Sequence, residues 1–445
     1  RVGFLSTHFR WHSVGRLTVG LIEDLGRSGG IEVFVIHASI NAHSAAAASA
    51  DKSTGEASRR SGVGHALQDA RERIAALKLD ALVFGDVGMD ALTTGLAHAR
   101  LSPVQVAFWG HPGTTGLSTV DFFITSDLFE PKGNTENGDA AELLLGRCIK
   151  RSRSCKVLHS DRNCNVRGTE SRQEAFSEQL VRLSGLGIVF DDPAQTFRTK
   201  GDRMRAQESS AQHASGRGNR RPIAKESIRR PRLYVCAQSL MKMHPAFDAA
   251  IAGILAEDPL AHVVLLRDSR QLLWHSRFRR RLRVVPKNRA RAPAPGQLWS
   301  RVRFVGPLSA RDFFDLQCRA DVVLDPFPFG GGVTTLEALS CGTPVVTAGA
   351  LQNVHRLAEG IIVSIAEGLE GAETKVETRN KEENNGATDT KGDYVKKAVA
   401  VASPGPLRER VRHALRVGSK HMMRGDGNVA LDWERFLRNA VALSS

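Results

Sequence analysis

Runs of about three to six apolar residues alternate with longer stretches in which apolar residues return every three or four positions. Short runs without polar alternation suit strands covered on both faces, and the longer period suits helices lying against them. In the first half the pattern predicts strands at 2–6, 32–37, 81–85, 104–109 and 122–125, with helices at 15–25 and 64–77. Gly29-Gly30 stops the first helix, because glycine tolerates the left-handed backbone that commonly ends one. The second half repeats the pattern with strands at 233–237, 263–266, 302–305, 322–324 and 345–347. Helices around 246–256, 310–320 and 334–340 separate them. Such alternation predicts an α/β fold with parallel sheets. Its appearance twice predicts two Rossmann-like domains facing a cleft.

Between the halves, 196–230 is polar, rich in Gly and Ser and strongly basic, the composition of a linker or disordered insertion. A second polar stretch spans 368–393, and 405–442 reads as two helices with no strand. The expected division is an N-terminal half, 1–195, with a basic insertion at 134–173, then the linker 196–230. A C-terminal half, 231–404, carries the insertion 368–393, and closing helices fill 405–445. No 34-residue period occurs, so no tetratricopeptide array is expected within the chain.

Charge sharpens this division. The chain of 445 residues has a net charge of +15. Residues 134–173, 196–230 and 277–291 carry +3, +7 and +8, which leaves the remainder net negative. Two of these stretches are low in aromatics, so stacking residues for nucleic acid are not interleaved, and solvated insertions are the favoured reading. At 277–291 a helical pattern begun at Gln271 continues through Arg277, Arg280, Arg281 and Leu282, predicting a solvent-facing basic helix. No run approaches 18 apolar residues, so no membrane span is expected, and no secretory leader pattern is present. The chain opens on a strand rather than a Met, which reads as a domain edge with more protein upstream. Six cysteines make no disulfide framework, and Cys236, Cys318 and Cys341 fall in expected core segments or helices. A reducing compartment, cytoplasmic or nuclear, is therefore expected. Cys148, Cys155, His159 and Cys164 have zinc-like ligand types, but the first two are spaced too widely for the tight pair such sites use.

Four loops at expected strand ends carry candidate chemistry. In Asp325-Pro-Phe-Pro-Phe-Gly-Gly-Gly-Val-Thr-Thr-Leu-Glu337 a strand gives way to three glycines and a helix start. Glycines admit close backbone approach, and a helix N-terminus offers unpaired N–H groups and partial positive charge, a ready diphosphate site. Thr334 and Thr335 add donors there, and Glu337 is suited to ribose hydroxyls; a plain capped helix after a tight turn is the alternative. In the second loop, a strand at 233–237 runs into Gln238 and Lys242, at the sheet rim where ligands bind in such folds. The third, Ser6-Thr-His-Phe-Arg-Trp-His-Ser-Val-Gly15, brings two histidines, and the fourth, Trp109-Gly-His-Pro-Gly-Thr-Thr-Gly116, a third. Histidine serves as a general base near neutral pH, although structural roles are the commoner fate.

The four loops occur together and in order, and in this the chain resembles the family of O-linked N-acetylglucosamine transferases, SPINDLY and their bacterial relatives. The resemblance runs over 1–131, 174–193 and 232–347, carried by RVGFLSTHFRWHSVG, FGDVGMDALTTGLAHARLSPVQVAFWGHPGTTGLSTVDFFITSDLFEP, EQLVRLSGLG, LYVCAQSLMKMHPAFD and LDPFPFGGGVTTLEALSCGTPVVT. It implies a GT-B-type fold, an inverting transfer and no catalytic metal or other cofactor. By its motifs, His12 matches the histidine beside the sugar, Lys242 the lysine on the diphosphate, and His111 the active-site loop. Gln238, Gly331, Gly332, Thr334 and Thr335 fall at the nucleotide-sugar site, and Glu337 matches the acidic position near the ribose. The partners so implied are UDP-GlcNAc as donor and Ser/Thr of a protein acceptor, with tetratricopeptide repeats upstream of this chain; nucleic acid is not implied. His8, Leu308 and Val333 depart from the family pattern and bear on donor identity. GDP-fucose or a glucosyl donor is the alternative within the family. A non-catalytic polyanion binder on a decayed transferase fold is the alternative outside it.

Overall fold

The computed structural model describes residues 1–9, 12–39, 57–129, 172–193, 197, 230–267, 272–282, 299–348, 353–367, 390–424 and 428–444. The chain divides into two compact units, Arg1–Phe190 with Arg424–Ser445, and Asp191–Met423.

Unit 1 is built on strands β1 (Val2–Ser6), β2 (Val33–His37), β3 (Ala81–Phe84), β4 (Val104–Phe108), β5 (Phe122–Ser126) and β6 (Gln179–Leu183). They form one six-stranded sheet in the order β2-β1-β3-β4-β5-β6, every pair parallel. The strand β6 was not legible as one, because Gln179 and Arg182 break its apolar run; in place, Leu180 to Leu183 are buried along β5. Helices α1 (Ser13–Ser28), α2 (Ala57–Ala76) and α3 (Ala91–Ala97) connect the strands. In α1, Val14, Leu17, Leu21 and Leu25 recur at helical spacing on one buried face, and Gly29 closes the helix at φ 69°.

Unit 2 carries β7 (Arg232–Cys236), β8 (Ala261–Leu266), β9 (Val302–Val305), β10 (Val322–Leu324) and β11 (Val345–Val346). These make a five-stranded parallel sheet in the order β11-β10-β7-β8-β9. Its helices are α4 (Pro245–Glu257), α5 (Leu272–Leu282), α6 (Ala310–Arg319), α7 (Val333–Ser340), α8 (Asn353–Glu367), α9 (Thr390–Ala402) and α10 (Pro406–Arg424). Helix α9 begins inside the stretch expected as a polar loop. Its Tyr394, Val395, Ala398 and Ala402 are buried in the core that holds Phe247 and Ile254 of α4, so tertiary burial outweighs the polar start. The basic helix expected near 277 is α5, with Arg277, Arg279 and Arg280 exposed. Its Arg281 departs from a solvent-facing role: Nε and Nη2 donate to both Asp248 oxygens at 2.8 and 2.9 Å.

The chain then returns to unit 1 for α11 (Val429–Ser444). Trp433, Phe436, Leu437 and Ala440 are buried, and Trp433 Nε1 donates to Gly187 O at 2.9 Å. Burying a large apolar side chain contributes about 1.5–3 kcal/mol, so these positions fasten the last helix.

One reading from composition changes. Cys318, in the last turn of α6, and Cys341, at the C-cap of α7, are joined in a disulfide, while Cys236 is free and buried. Helical packing brings the two within a Cα separation of 5.1 Å, which their 23-residue spacing does not reveal. Most of 134–173, 196–230, 283–291 and 368–389, together with Cys148, Cys155, His159 and Cys164, lies outside the described residues. Among the described residues no helix is long and apolar enough to cross a membrane, and no group of three or more His, Cys, Asp or Glu is placed to hold a metal ion.

Strand order locates the loops. In unit 1 the chain leaves β1 for β2 on one side and later places β3 on the other, so the order reverses between β1 and β3. In unit 2 it likewise reverses between β7 and β10. In open parallel sheets, loops at the carboxyl ends of such neighbouring strands diverge and leave the crevice where ligands bind.

Candidate functional site

The reversal in unit 2 brings together the loop after β7 and the loop after β10. Gln238 follows β7, and a single 3-10 turn, Leu240–Lys242, carries Lys242. The Lys242 Nζ donates to Gln238 Oε1 at 3.0 Å and to Gly330 O at 3.2 Å, and lies 4.4 Å from the centre of the Phe329 ring. The Gln238 amide in turn donates to the Thr334 hydroxyl. Two loops 88 residues apart are thus stitched around one cation.

Asp325 sets the shape of the glycine turn. It is buried at the end of β10, its Oδ1 accepting Gly331 N at 2.7 Å and its Oδ2 the Thr347 hydroxyl at 2.8 Å. Burial raises its pKa to about 6, against the lowering effects of Thr347, Gly331 and Lys242. Burial also lowers the pKa of Lys242, which Asp325 partly offsets. At Gly331 a Cβ would run into the Gln238 amide and Thr334 Oγ1, so any side chain there must displace members of this set. Gly332 is the N-cap of α7 and supplies no side-chain cap, so the helix start keeps the character that favours an anion. Thr335 Oγ1 donates to Gly331 O at 3.0 Å. Glu337 is buried one turn in, its Oε2 accepting Gln317 Nε2 at 2.9 Å. Val333 is buried in the first turn, and Leu308 is exposed beyond β9.

The reversal in unit 1 gathers a different set. Asp86, after β3, is fully buried and accepts at Oδ2 from Ser6 Oγ at 2.9 Å, Thr7 N at 3.2 Å and Thr7 Oγ1 at 3.0 Å. His8 Nδ1 lies 2.7 Å from the same oxygen. The His8 and His12 rings stack with centroids 4.1 Å apart. His12 caps α1, its Nδ1 accepting Val14 N at 3.4 Å. Burial first, then His8, lowers its pKa, against a raising effect of Asp86. His111 sits over the loop after β3, where a Cβ on Gly88 would come within 2.9 Å of its ring. Burial lowers its pKa also. Its loop is fastened by buried Glu178, which accepts from Thr114 Oγ1 and Thr115 N at 2.7 Å each and from the Thr115 hydroxyl.

Of the expected site residues, Gln238, Lys242, Gly331, Gly332, Thr334 and Thr335 lie on the loops and helix start at the unit 2 reversal, with Glu337 one turn into α7. His12 follows β1 at the unit 1 reversal, while His111 follows β4 and reaches the loop after β3. Sequence reasoning missed Asp86, Asp325 and Glu178. The first two stand directly after apolar runs, at strand C-termini where buried carboxylates order loops, and that position was the available signal. Glu178 had none, because its partners lie 63 and 64 residues away.

No family model matches the sequence, and no curated protein matches it. Among solved structures, a mutant O-GlcNAc transferase of Thermobaculum terrenum aligns at TM-score 0.61 and 19% identity, over 100% of this chain and 69% of that one. The alpha,alpha-trehalose 6-phosphate synthase of Burkholderia multivorans aligns at TM-score 0.48 and 14% identity, over 100% and 99%. The first likeness and the two parallel α/β units with closing helices show a GT-B-type fold.

Proposed function

We propose that the chain is an inverting glycosyltransferase that uses a nucleoside diphosphate sugar. The observation that carries the reading is the placement of Lys242 at the strand-order reversal of unit 2, bonded to Gly330 O beside a helix start without a side-chain cap. As the sugar leaves, negative charge grows on the diphosphate. A fixed ammonium and backbone N–H groups aimed at that charge lower the barrier without reorganisation. Thr334 and Thr335 flank the same turn, and Glu337, oriented by Gln317, is assigned to the ribose side. His12 and His111 are assigned to the sugar and acceptor.

UDP-GlcNAc as donor and Ser/Thr hydroxyls of proteins as acceptors are the best reading, supported by the family resemblance and by the fold of the Thermobaculum enzyme. The division into a catalytic half, 1–195, and a donor half, 231–404, belongs to the same proposal, as does a cytoplasmic or nuclear setting. The Cys318–Cys341 disulfide stands as an observation against that setting.

The test is UDP release from UDP-GlcNAc by Lys242→Ala. A loss of roughly 100- to 1000-fold in kcat is expected, the usual cost of removing one such charge-stabilising donor. Turnover within a few-fold of the parent contradicts the assignment.

A further inference from the structure

The unit 1 cluster holds two histidines in contact, and their hydrogen bonds assign them different protons. A neutral imidazole carries one N–H and one lone pair, and the partner at one nitrogen dictates the state of the other. At His8, Nδ1 meets Asp86 Oδ2 at 2.7 Å and Thr7 Oγ1 at 2.7 Å. The Thr7 hydroxyl already donates its proton to Asp86, so both neighbours of Nδ1 are acceptors. The His8 Nδ1 must therefore carry the proton, and Nε2 keeps the lone pair. At His12 the order is reversed. Its Nδ1 accepts Val14 N to cap α1, so its proton sits on Nε2 and no lone pair remains open.

We infer that His8, oriented by Asp86, is the proton acceptor of this site, and that His12 is a hydrogen-bond donor beside it. The inference rests on the proposed sugar transfer for its reaction, but the two ring tautomers stand apart from that reading. In the step, the acceptor O–H proton moves to His8 Nε2, and the oxygen's electron pair forms the bond to the sugar's anomeric carbon. The bond from that carbon to the diphosphate breaks, and its electron pair leaves with the nucleoside diphosphate.

Asp86 is a positioning residue in this account. Its side chain is fully buried, and its Oδ1 has no hydrogen-bond partner among the described residues. A buried carboxylate balanced only by neutral donors on one oxygen is a costly arrangement. It gains its counter-ion when the proton reaches the His8 ring against it, the logic of a carboxylate-backed imidazole base. The His8 side chain remains 30% exposed, so the ring is not sealed off from solvent or substrate. The lowered pKa of His12, from burial and from His8, agrees with a ring that stays neutral and donates from Nε2.

Two measurements on the full chain decide the point. Nitrogen-15 imidazole spectra, assigned with His8→Gln and His12→Gln, should show His8 protonated at Nδ1 and His12 at Nε2. In Asp86→Asn the new amide can donate to His8 Nδ1, so the His8 proton should shift to Nε2. The same substitution should lower kcat for UDP release from UDP-GlcNAc by about 100-fold or more while KM stays within about threefold, because base catalysis is worth roughly 100- to 10,000-fold. His8→Gln should match that loss. UDP affinity of each variant serves as the folding control. A His8 ring protonated at Nε2 in the parent overturns the inference, as does a kcat for Asp86→Asn or His8→Gln within a few-fold of the parent. If the parent binds no UDP, the transferase reading falls, and the spectra alone decide whether Asp86 sets the ring.

Discussion

The two strand-order reversals share a topology and differ in what fills them. In unit 2 the crevice is lined by backbone, amide, hydroxyl and one ammonium, with one carboxylate, Asp325, turned inward to hold the turn and another, Glu337, held by Gln317. In unit 1 it is filled by two imidazoles over a buried carboxylate. One set suits a fixed anion, because glycine turns and helix starts present N–H groups that need no protonation change. The other suits a moving proton, because imidazole changes charge near neutral pH. A parallel sheet thus supplies the place, and the residues at the strand ends supply the chemistry.

The largest effect expected from breaking this contrast is at Gly331. In Gly331→Val the new side chain must displace the Gln238 amide and Thr334, both members of the unit 2 set. UDP binding should become undetectable by calorimetry while the imidazole signals of unit 1 keep their parent positions. Retained UDP affinity would place the anion site elsewhere.

A smaller effect is expected from Glu178, which belongs to unit 1. Glu178→Ala leaves Thr114 and Thr115 without their shared acceptor, at a cost of about 1.5–3 kcal/mol, the scale of hydrogen bonds to a charged group. Chemical denaturation should register that loss, with UDP affinity unchanged. A fall in UDP affinity of tenfold or more would mean that the two sets are coupled rather than separate.

The smallest effect is a pH dependence confined to unit 2. Asp325 ionises at about 6, so lowering the pH through that value removes a negative charge beside the anion site. Lys242 gives up its proton at lower pH than an ordinary lysine, so raising the pH removes the positive charge early. Both changes have the same sign: affinity for UDP-GlcNAc, whose diphosphate does not titrate in this range, should fall as pH rises. A few-fold change between pH 5 and pH 7.5 is expected, with Asp325→Asn flattening the acid side. An affinity that rises with pH would contradict the assignment.

The contrast also explains what could be read in advance. The unit 2 site is local: three glycines, two threonines and a helix start stand consecutively, and Gln238 and Lys242 share one short loop. Its sheet was legible for the same reason, since β7 to β11 are short apolar runs with little polar interruption. The unit 1 site is not local. Asp86 meets Ser6, Thr7 and His8 only because β1 and β3 are neighbours in the sheet, 78 to 80 residues apart in sequence. No spacing rule connects those positions. Likewise β6 hides behind Gln179 and Arg182, and α9 behind its lysines, because burial by a partner element is invisible along a single stretch of chain. The Cys318–Cys341 pairing has the same origin, two helix ends brought together by packing.

The central claim is that the reversal in unit 2 binds a nucleoside diphosphate. Calorimetric titration of UDP into the full chain and into Lys242→Ala tests it most directly, with GDP and a short RNA as parallel ligands. The account predicts one nucleotide per chain, weakened about tenfold or more by the substitution, the scale of losing a charge-assisted contact of about 1.5–3 kcal/mol, and no competition from RNA. Nucleotide binding that is absent, or indifferent to Lys242, together with RNA binding, would contradict it and leave a polyanion binder on a transferase fold.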